Sequence, residues 1–222
     1  MSGRFITFEG GEGAGKSTQI ARLRSRLGEE GVDTVATREP GGSPKAERIR
    51  ASVLAGAAQA RGPFAEAILF SAARMDHLRE TIRPALARGA FVLCDRFSDS
   101  TRAYQGILGK IDPGLIRALE RATIGDTRPD LTFILDVPAE IGLARAAARR
   151  GAGESADRFE GEGRDFHERL RDAFLTIAKD EPERCVVVDA SREANLVAAD
   201  VWRAVADRLL AGAATETTAS HG

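Results

Sequence analysis

Residues 4–18 read Arg4-Phe5-Ile6-Thr7-Phe8-Glu9-Gly10-Gly11-Glu12-Gly13-Ala14-Gly15-Lys16-Ser17-Thr18, an apolar run followed by a glycine-rich segment. The spacing G-x-x-x-x-G-K-[ST], in which free backbone N–H groups wrap a polyphosphate, is set by Gly10, Gly15, Lys16 and Ser17. A helix N-terminus should point at the phosphates, because helical spacing follows at Ile20, Leu23 and Leu27. An ordinary glycine-rich turn is the alternative, but it needs no Lys-Ser pair.

This loop predicts a binding site for the phosphates of a nucleotide. The predicted contacts are the whole run of Gly10, Gly11, Glu12, Gly13, Ala14, Gly15, Lys16, Ser17 and Thr18. Lys16 would reach the β- and γ-phosphates, and the Ser17 hydroxyl would bind Mg²⁺, the expected cofactor.

Length and composition favour one soluble α/β domain. The chain has 222 residues, of which 29% are charged and 43% are apolar. A net charge of −1 argues against a nucleic-acid or membrane partner, so an anion must be held locally. Cys94 and Cys185 each lie in an apolar run and are predicted to be buried thiols. Neither a signal peptide nor a long apolar span is recognisable, so we expect a cytoplasmic location.

Strand-like apolar runs recur along the chain and are separated by helical patterns, at residues 5–9, 32–37, 90–95, 131–136 and 184–189. Continuous apolar strands that alternate with helices indicate a five-stranded parallel sheet flanked by helices on both faces. With the phosphate loop, this predicts an α/β P-loop NTPase fold. We expect a single domain over residues 1–211 and a disordered tail over residues 212–222, which are small, polar and aperiodic.

Acidic residues end several of the predicted strands, at the edge where open α/β sheets bind ligands. Asp95 ends the apolar run 91–95, a pattern typical of a carboxylate that positions hydrated Mg²⁺ through water. Glu9 lies on the same edge. For Asp136, a solvated or capping carboxylate before Pro138 is as good an interpretation as a ligand.

Several short segments make the chain resemble a known family. They are Arg38-Glu39-Pro40-Gly41-Gly42, Asp95-Arg96-Phe97 with Ser100 and Tyr104-Gln105-Gly106, and Asp157-Arg158-Phe159-Glu160. Together with the phosphate loop they are similar to the thymidylate kinases, which are P-loop nucleoside monophosphate kinases. One departure is Phe97, where the family usually has tyrosine.

The resemblance implies a reaction in which ATP and dTMP give ADP and dTDP with Mg²⁺, and it implies a homodimer. The acceptor phosphate is already anionic, so no strong general base is needed. Catalysis then reduces to aligning two polyanions and neutralising the group that is transferred.

By the same resemblance, Arg96 and Arg38 hold the dTMP phosphate, and Glu12 lies near the sugar hydroxyl. An ion-paired surface position is the alternative for Arg96, and a solvated loop position for Arg38. The resemblance also implies that Tyr104 packs against the deoxyribose at C2′. The remaining predicted dTMP contacts are Ser100, Thr101 and Gln105.

Phe70 and Arg74 stand four apart in the helical run 64–86, so they share a face. In the family, the matching residues stack on thymine and donate to its O4. A guanidinium carries donors only, so it suits that acceptor and opposes the amino group of cytosine. Core packing is the alternative for Phe70.

Residues 145–160 begin as a helix, continue into glycine and small residues with charges, and resemble a mobile lid. Some members of the family carry a catalytic arginine in the phosphate loop and others in the lid. The loop here contains Glu12-Gly13-Ala14 and no arginine, so the resemblance implies that Arg149 or Arg150 of the lid supplies it. The predicted catalytic set is Lys16, Arg96, Arg149, Arg150 and Glu12. The histidines match no triad or metal spacing and receive no role: His77, His167 and His221.

Two other functions compete with this interpretation. A deoxynucleoside kinase shares the layout but phosphorylates a neutral 5′-hydroxyl, and Glu39 would then have to act as general base. A P-loop ATPase that switches partner binding would hydrolyse ATP slowly without an acceptor. It leaves Phe70, Arg74 and Tyr104 unexplained.

Overall fold

The computed structural model describes residues 3–56, 58–149, 159 and 161–211. A five-stranded sheet in the order β2-β3-β1-β4-β5 lies at its centre, and every neighbouring pair is parallel. The strands are β1 Arg4–Glu9, β2 Thr34–Arg38, β3 Phe91–Asp95, β4 Leu131–Asp136 and β5 Cys185–Asp189. The predicted five-stranded parallel sheet is therefore confirmed.

Helices follow the strands along the chain. They are α1 Lys16–Glu29, α2 Pro44–Leu54, α3 Gly62–His77, α4 Arg83–Ala87, α5 Ser98–Thr101, α6 Pro113–Ile124, α7 Ala139–Arg149, α8 Arg164–Asp180 and α9 Ala194–Val205. A 3₁₀ turn at Gln59–Arg61 precedes α3, and π-helical turns extend α3, α5 and α9 over Leu78–Ile82, Arg102–Leu108 and Ala206–Leu210. None of the described helices has both the length and the apolar character needed to cross a bilayer.

Local sequence signals explain where two of the helices start. Ser43 accepts a hydrogen bond from the Ala46 N–H at 3.4 Å, and Asp112 accepts one from the Leu115 N–H at 3.0 Å. A proline occupies the first position of each helix, where its missing N–H leaves no bond unmade. The Asp112-Pro113 pair therefore defines the start of α6.

Both faces of the sheet are buried. On one face, α1 and α9 cover Ile6, Phe8 and Phe133. The other face has two apolar clusters, one built on Phe5 and the helical run 62–87, the other on α8. At the rim of the first face, the Arg26 guanidinium of α1 lies 5.0 Å from the centroid of the Trp202 ring of α9. Burial on two faces explains why the strands read as continuous apolar runs.

The phosphate loop touches α7 backbone to backbone. A Cβ on Gly13 would lie 1.9 Å from the carbonyl oxygen of Gly142, and a Cβ on Gly142 would lie 2.3 Å from that of Glu12. Gly13 also has a φ of 65°, in the left-handed region that glycine adopts without strain. The loop can therefore approach α7 only because both positions lack a side chain, and this contact sets how close the first turn of α7 lies to the loop.

Gly142→Ala should lower the free energy of unfolding by about 1–3 kcal/mol, because the new methyl group overpacks a backbone contact. The matched control is Gly28→Ala in α1, where a Cβ would meet nothing within 4 Å. That control should gain up to about 1 kcal/mol from helix propensity. Urea denaturation of the three proteins gives both numbers. A Gly142→Ala variant as stable as the control would contradict the steric account.

Candidate active site

A cavity of about 320 Å³ opens beside the phosphate loop at the carboxyl edge of the sheet. It brings together most of the predicted site residues: Glu12, Gly13, Ala14, Gly15, Lys16, Ser17, Arg38, Phe70, Arg74, Asp95, Arg96, Ser100, Thr101, Tyr104, Gln105 and Arg149. Gly10, Gly11 and Thr18 belong to the same loop and helix start but do not line it. Segments distant in sequence thus converge on one volume.

The phosphate loop is held in shape by three left-handed glycines and by its own lysine. Gly10, Gly13 and Gly15 have φ values of 135°, 65° and 89°. The Lys16 ammonium donates to the carbonyl oxygens of Gly10 at 3.3 Å and Gly11 at 3.0 Å. Burial, together with the Arg96 charge, lowers the pKa of Lys16. A buried cation at the start of α1 suits a strongly anionic ligand.

Ser17 and Asp95 form the pair that could hold a magnesium ion. The Ser17 hydroxyl donates to Asp95 Oδ2 at 3.0 Å, where α1 begins and β3 ends. Within the described part of the chain, no three His, Cys, Asp or Glu residues cluster as a metal site. Magnesium commonly takes one or two protein oxygens and completes its shell with water and phosphate oxygens. A hydroxyl beside one carboxylate fits that habit.

Arg96 links β3 to the phosphate loop. Its backbone adopts a left-handed φ of 68°, and its side chain donates to the Gly10 carbonyl at 3.0 Å and to Glu12 Oε1 at 2.8 Å. The guanidinium also lies 5.4 Å from the centroid of the Tyr104 ring. Only 15% of the side chain is exposed, and its carboxylate partner belongs to the loop. This differs from the solvated surface pair that was the alternative.

Glu12 contributes a negative charge to a region that is otherwise rich in positive charge. Burial acts to raise the pKa of Glu12, but the charges of Arg96, Lys16, His167 and Arg149 outweigh it and lower that pKa. The Glu12 carboxylate therefore offsets part of the positive charge around the cavity.

Glu9 fixes the turn that carries Arg96, a role that sequence analysis did not give it. Its Oε1 accepts from the N–H groups of Phe97 at 2.7 Å and Ser100 at 3.3 Å, and its Oε2 from the Ser100 hydroxyl at 2.6 Å. Burial, followed by the charge of Asp99, raises the pKa of Glu9 to about 7. Ser100 is thus occupied by Glu9 as well as by Arg96, which donates to its hydroxyl at 3.3 Å.

Phe70 and Arg74 present the same face of α3 to the cavity. Phe70 is half-buried and lines the cavity, unlike the fully buried aromatic residues of the core. Arg74 is buried and donates through Nε to Glu39 at 2.6 Å. Its Nη2 donates to the Phe97 carbonyl at 3.1 Å and to the Thr101 hydroxyl at 3.2 Å. Among the hydrogen bonds of the described residues, none uses Arg74 Nη1.

Behind Arg74 lies a residue that sequence analysis left without a role. The fully buried His77 ring reaches Glu39 Oε1 with Nδ1 at 3.1 Å and the Thr37 hydroxyl with Nε2 at 2.7 Å. The one signal in the sequence was its position, three residues after Arg74 and so on the adjoining turn of α3. Glu39 had been considered only as the general base of a competing function.

Arg38 and Gln105 lie at opposite depths of the cavity. Arg38 is exposed and donates through Nη2 to both carboxylate oxygens of Glu47 at 3.0 Å. Gln105 is buried and donates to Glu66 at 3.3 Å.

The predicted lid is described only in part. Arg149 ends α7, is exposed and lines the cavity, whereas Arg150 and the other lid residues at 151–158 and 160 lie outside the described residues, as do tail residues 212–222. Phe159 packs against the Tyr104 ring with 5.1 Å between centroids.

Asp136, at the end of β4, forms an ion pair. Both of its carboxylate oxygens accept hydrogen bonds from Arg171, at 2.6 and 2.9 Å, which agrees with a structural role.

A family model described as thymidylate kinase matches residues 8–201. The chain belongs to the thymidylate kinase family. It is 61% identical over 208 residues to a thymidylate kinase of Bradyrhizobium diazoefficiens, covering 94% of this chain and 91% of that relative. A thymidylate kinase of Nitrobacter hamburgensis is 58% identical over 219 residues, covering 98% of this chain and 95% of the relative.

Solved structures of the family have the same fold. A crystal structure of thymidylate kinase from Ehrlichia chaffeensis aligns with a TM-score of 0.75 at 36% identity, covering 92% of this chain and all of that one. The family resemblance inferred from the sequence motifs is confirmed. The individual site residues remain predictions, now with a defined geometry.

Glu9→Gln should flatten the pH dependence of stability. Because folding raises the Glu9 pKa from 4.5 to about 7, its stabilising contribution is complete below pH 4.5 and is lost as the pH rises to about 7. Across that window, the unfolding free energy of the wild type should fall by about 2–3 kcal/mol relative to the variant. Urea titrations at several pH values measure both curves. Parallel curves through the window would contradict the shifted pKa.

Proposed function

We propose that this chain transfers the γ-phosphoryl group of ATP to the phosphate of dTMP, giving ADP and dTDP. The observation that carries the proposal is the convergence, in one cavity, of a phosphate loop with an arginine and aromatic pocket. The loop supplies a site for the donor, and the pocket supplies a site for an anionic acceptor with a planar base. Membership of the thymidylate kinase family supports both assignments.

The loop and its surroundings would align the two phosphate groups. Lys16 and the loop N–H groups bind the donor phosphates, and Arg96 with Arg38 binds the acceptor phosphate. Glu12, paired with Arg96 at 2.8 Å, lies where it can orient that arginine and accept from the sugar hydroxyl. Each of these groups binds or orients, so the protein needs no general base.

Ser17 and Asp95 would hold Mg²⁺, with Asp95 acting through water. When bound, the ion neutralises charge on the phosphate oxygens. The 3.0 Å hydrogen bond from the Ser17 hydroxyl to Asp95 supports the assignment of both residues to one site.

The pocket residues would select the nucleoside. Phe70 stacks on the base and Arg74 donates to O4 of thymine, while Tyr104 occupies the space beside C2′. A ring in that space rejects a 2′-hydroxyl by overpacking. The remaining contacts would come from Ser100, Thr101 and Gln105.

The buried Glu39 argues against the deoxynucleoside kinase alternative. Its Oε2 accepts from Arg74 at 2.6 Å and its Oε1 faces the His77 ring at 3.1 Å, so both oxygens are engaged away from an acceptor hydroxyl. A general base must lie within hydrogen-bond reach of the proton that it removes.

An acceptor screen tests the proposed function. With ATP and Mg²⁺, a coupled assay for ADP should find dTMP the best acceptor among the nucleoside monophosphates and thymidine inactive. Turnover of thymidine without turnover of dTMP would favour the deoxynucleoside kinase instead. ATP hydrolysis that no acceptor stimulates would favour the switch ATPase.

The lid arginine should act mainly in the transition state. Replacing the catalytic one of Arg149 and Arg150 with alanine should lower kcat by about 10³–10⁵ and leave dTMP affinity nearly intact, because the contact forms as charge develops. Lysine should restore part of the rate, since it keeps the charge but loses the planar fork.

Single-turnover kinetics on Arg149→Ala, Arg150→Ala and the double variant measure this effect, with dTMP affinity determined separately. Arg203→Ala on α9, which pairs at the surface with Asp200, is the matched control and should be silent. A double variant with wild-type rates would eliminate both arginines.

A homodimer and a cytoplasmic location complete the proposal. Three apolar side chains on one face of α3 are exposed, Phe64 by 39%, Ile68 by 45% and Met75 by 55%, which supports a second copy as the partner of this face. The two buried, unbridged cysteines support a reducing compartment.

Sedimentation equilibrium should report a dimer for the wild type. Ile68→Glu should give a monomer, because a buried unpaired charge disfavours association by several kcal/mol. Leu196→Glu on α9, exposed by 54%, is the control and should stay dimeric. A monomeric wild type, or a dimeric Ile68→Glu variant, would refute this face as the interface.

A further inference from the structure

His77 belongs to a buried polar chain that ends at the cavity. The chain runs from the Thr37 hydroxyl through the His77 ring to Glu39 and on to Arg74, with distances of 2.7, 3.1 and 2.6 Å. Of these residues, Arg74 and Glu39 line the cavity, whereas His77 lies behind them and is fully buried. No mechanistic role assigned above uses the imidazole.

The donors and acceptors of this chain fix its direction. The Arg74 guanidinium carries donors only, so Glu39 must accept at Oε2. Glu39 Oε1 is also an acceptor, so the proton in its contact with His77 must lie on Nδ1. In the neutral ring, Nε2 then accepts from the Thr37 hydroxyl, and the Glu39–Arg74 pair leaves the cluster without net charge. Burial of a net charge would be unfavourable, so the cluster favours this neutral tautomer, in which both ring nitrogens have a partner.

The same ring also supports the loop that carries Arg38. Gly42 has a φ of 79° and packs so closely that a Cβ there would lie 2.3 Å from His77 Nε2. Thr81 donates to the Gly42 carbonyl at 2.8 Å, and the Gly42 N–H donates to Glu47, the partner of Arg38, at 3.0 Å. The imidazole thus lies between the segments that hold the two ends of the acceptor pocket.

We propose that His77 is a positioning residue for nucleobase recognition. It holds Oε1 of Glu39, so that Oε2 engages only Nε of Arg74 and the guanidinium keeps its bonds to Phe97 and Thr101. Without the imidazole, Glu39 can rotate to take two Arg74 nitrogens and turn the guanidinium out of register with the base. The ligand class is a pyrimidine nucleotide with a carbonyl acceptor at position 4, so this inference rests on the proposed function.

The test compares kcat/KM for dTMP with kcat/KM for dCMP. His77→Phe keeps an aromatic ring of similar size and removes both nitrogens, and it should reduce the dTMP preference by about tenfold, which corresponds to the loss of one buried hydrogen bond to a charged group. His77→Asn can place an amide donor near the position of Nδ1 and should restore part of that preference. Ile82→Ala, a buried change farther along the same helical run, should lower stability without changing the ratio.

A double-mutant cycle separates positioning from general loosening. If His77 acts through Arg74, His77→Phe should reduce the preference no further in an Arg74→Gln background. Thr37→Val removes only the hydroxyl that faces Nε2 and should shift the ratio in the same direction by a smaller factor. It reports the same coupling if His77→Phe fails to fold.

The outcomes are distinguishable. A folded His77→Phe variant with wild-type preference would overturn the role of His77 and leave the proposed function intact. An equal loss in the Arg74→Gln background would show a general structural effect and would overturn it too. A wild type that does not phosphorylate dTMP would refute the proposed function, and the role of His77 with it.

Discussion

The contact of Arg96 with the phosphate loop holds the two halves of the site together. The Arg96 guanidinium donates to the Gly10 carbonyl and the Glu12 carboxylate, and the backbone N–H of Arg96 donates to the Phe8 carbonyl at 2.9 Å. The left-handed backbone at Arg96 is tolerable because Glu9 pins the residues that follow. A shift of this arginine would therefore disturb the phosphate loop and the cavity beside it at once.

A second network of charged residues fixes α5, the helix that follows Arg96. Asp99 is fully buried and accepts from Arg184 at 2.7 and 2.8 Å and from Arg102 at 2.9 Å. Arg184 also donates to Thr132 of β4 at 2.7 Å, which ties α5 to the sheet. Two arginines thus compensate the buried charge of Asp99. Hydrogen bonds therefore fix the segment beside the phosphate loop, and the glycines of the loop supply shape without side chains.

Features that depend on local residue spacing could be predicted from the sequence, whereas contacts between residues far apart in the chain could not. The phosphate loop, the parallel sheet and the face shared by Phe70 and Arg74 follow from periodicity over a few residues. The apolar run predicts a strand from Val32, yet β2 begins at Thr34, and Val32 is buried just before it. The His77–Glu39 contact joins residues 38 apart, and no pattern in a single chain distinguishes that buried imidazole from a solvated one.

The chain has one tyrosine and one tryptophan, and the fold separates them. Tyr104 lies in the cavity against Arg96 and Phe159, whereas Trp202 packs under Arg26 at the junction of α1 and α9. The molecule therefore has two intrinsic spectroscopic probes, and each reports on a different region. Indole fluorescence follows the integrity of the helix pair, and the phenol signal follows events at the pocket, so unfolding and ligand binding can be observed in the same unlabelled sample.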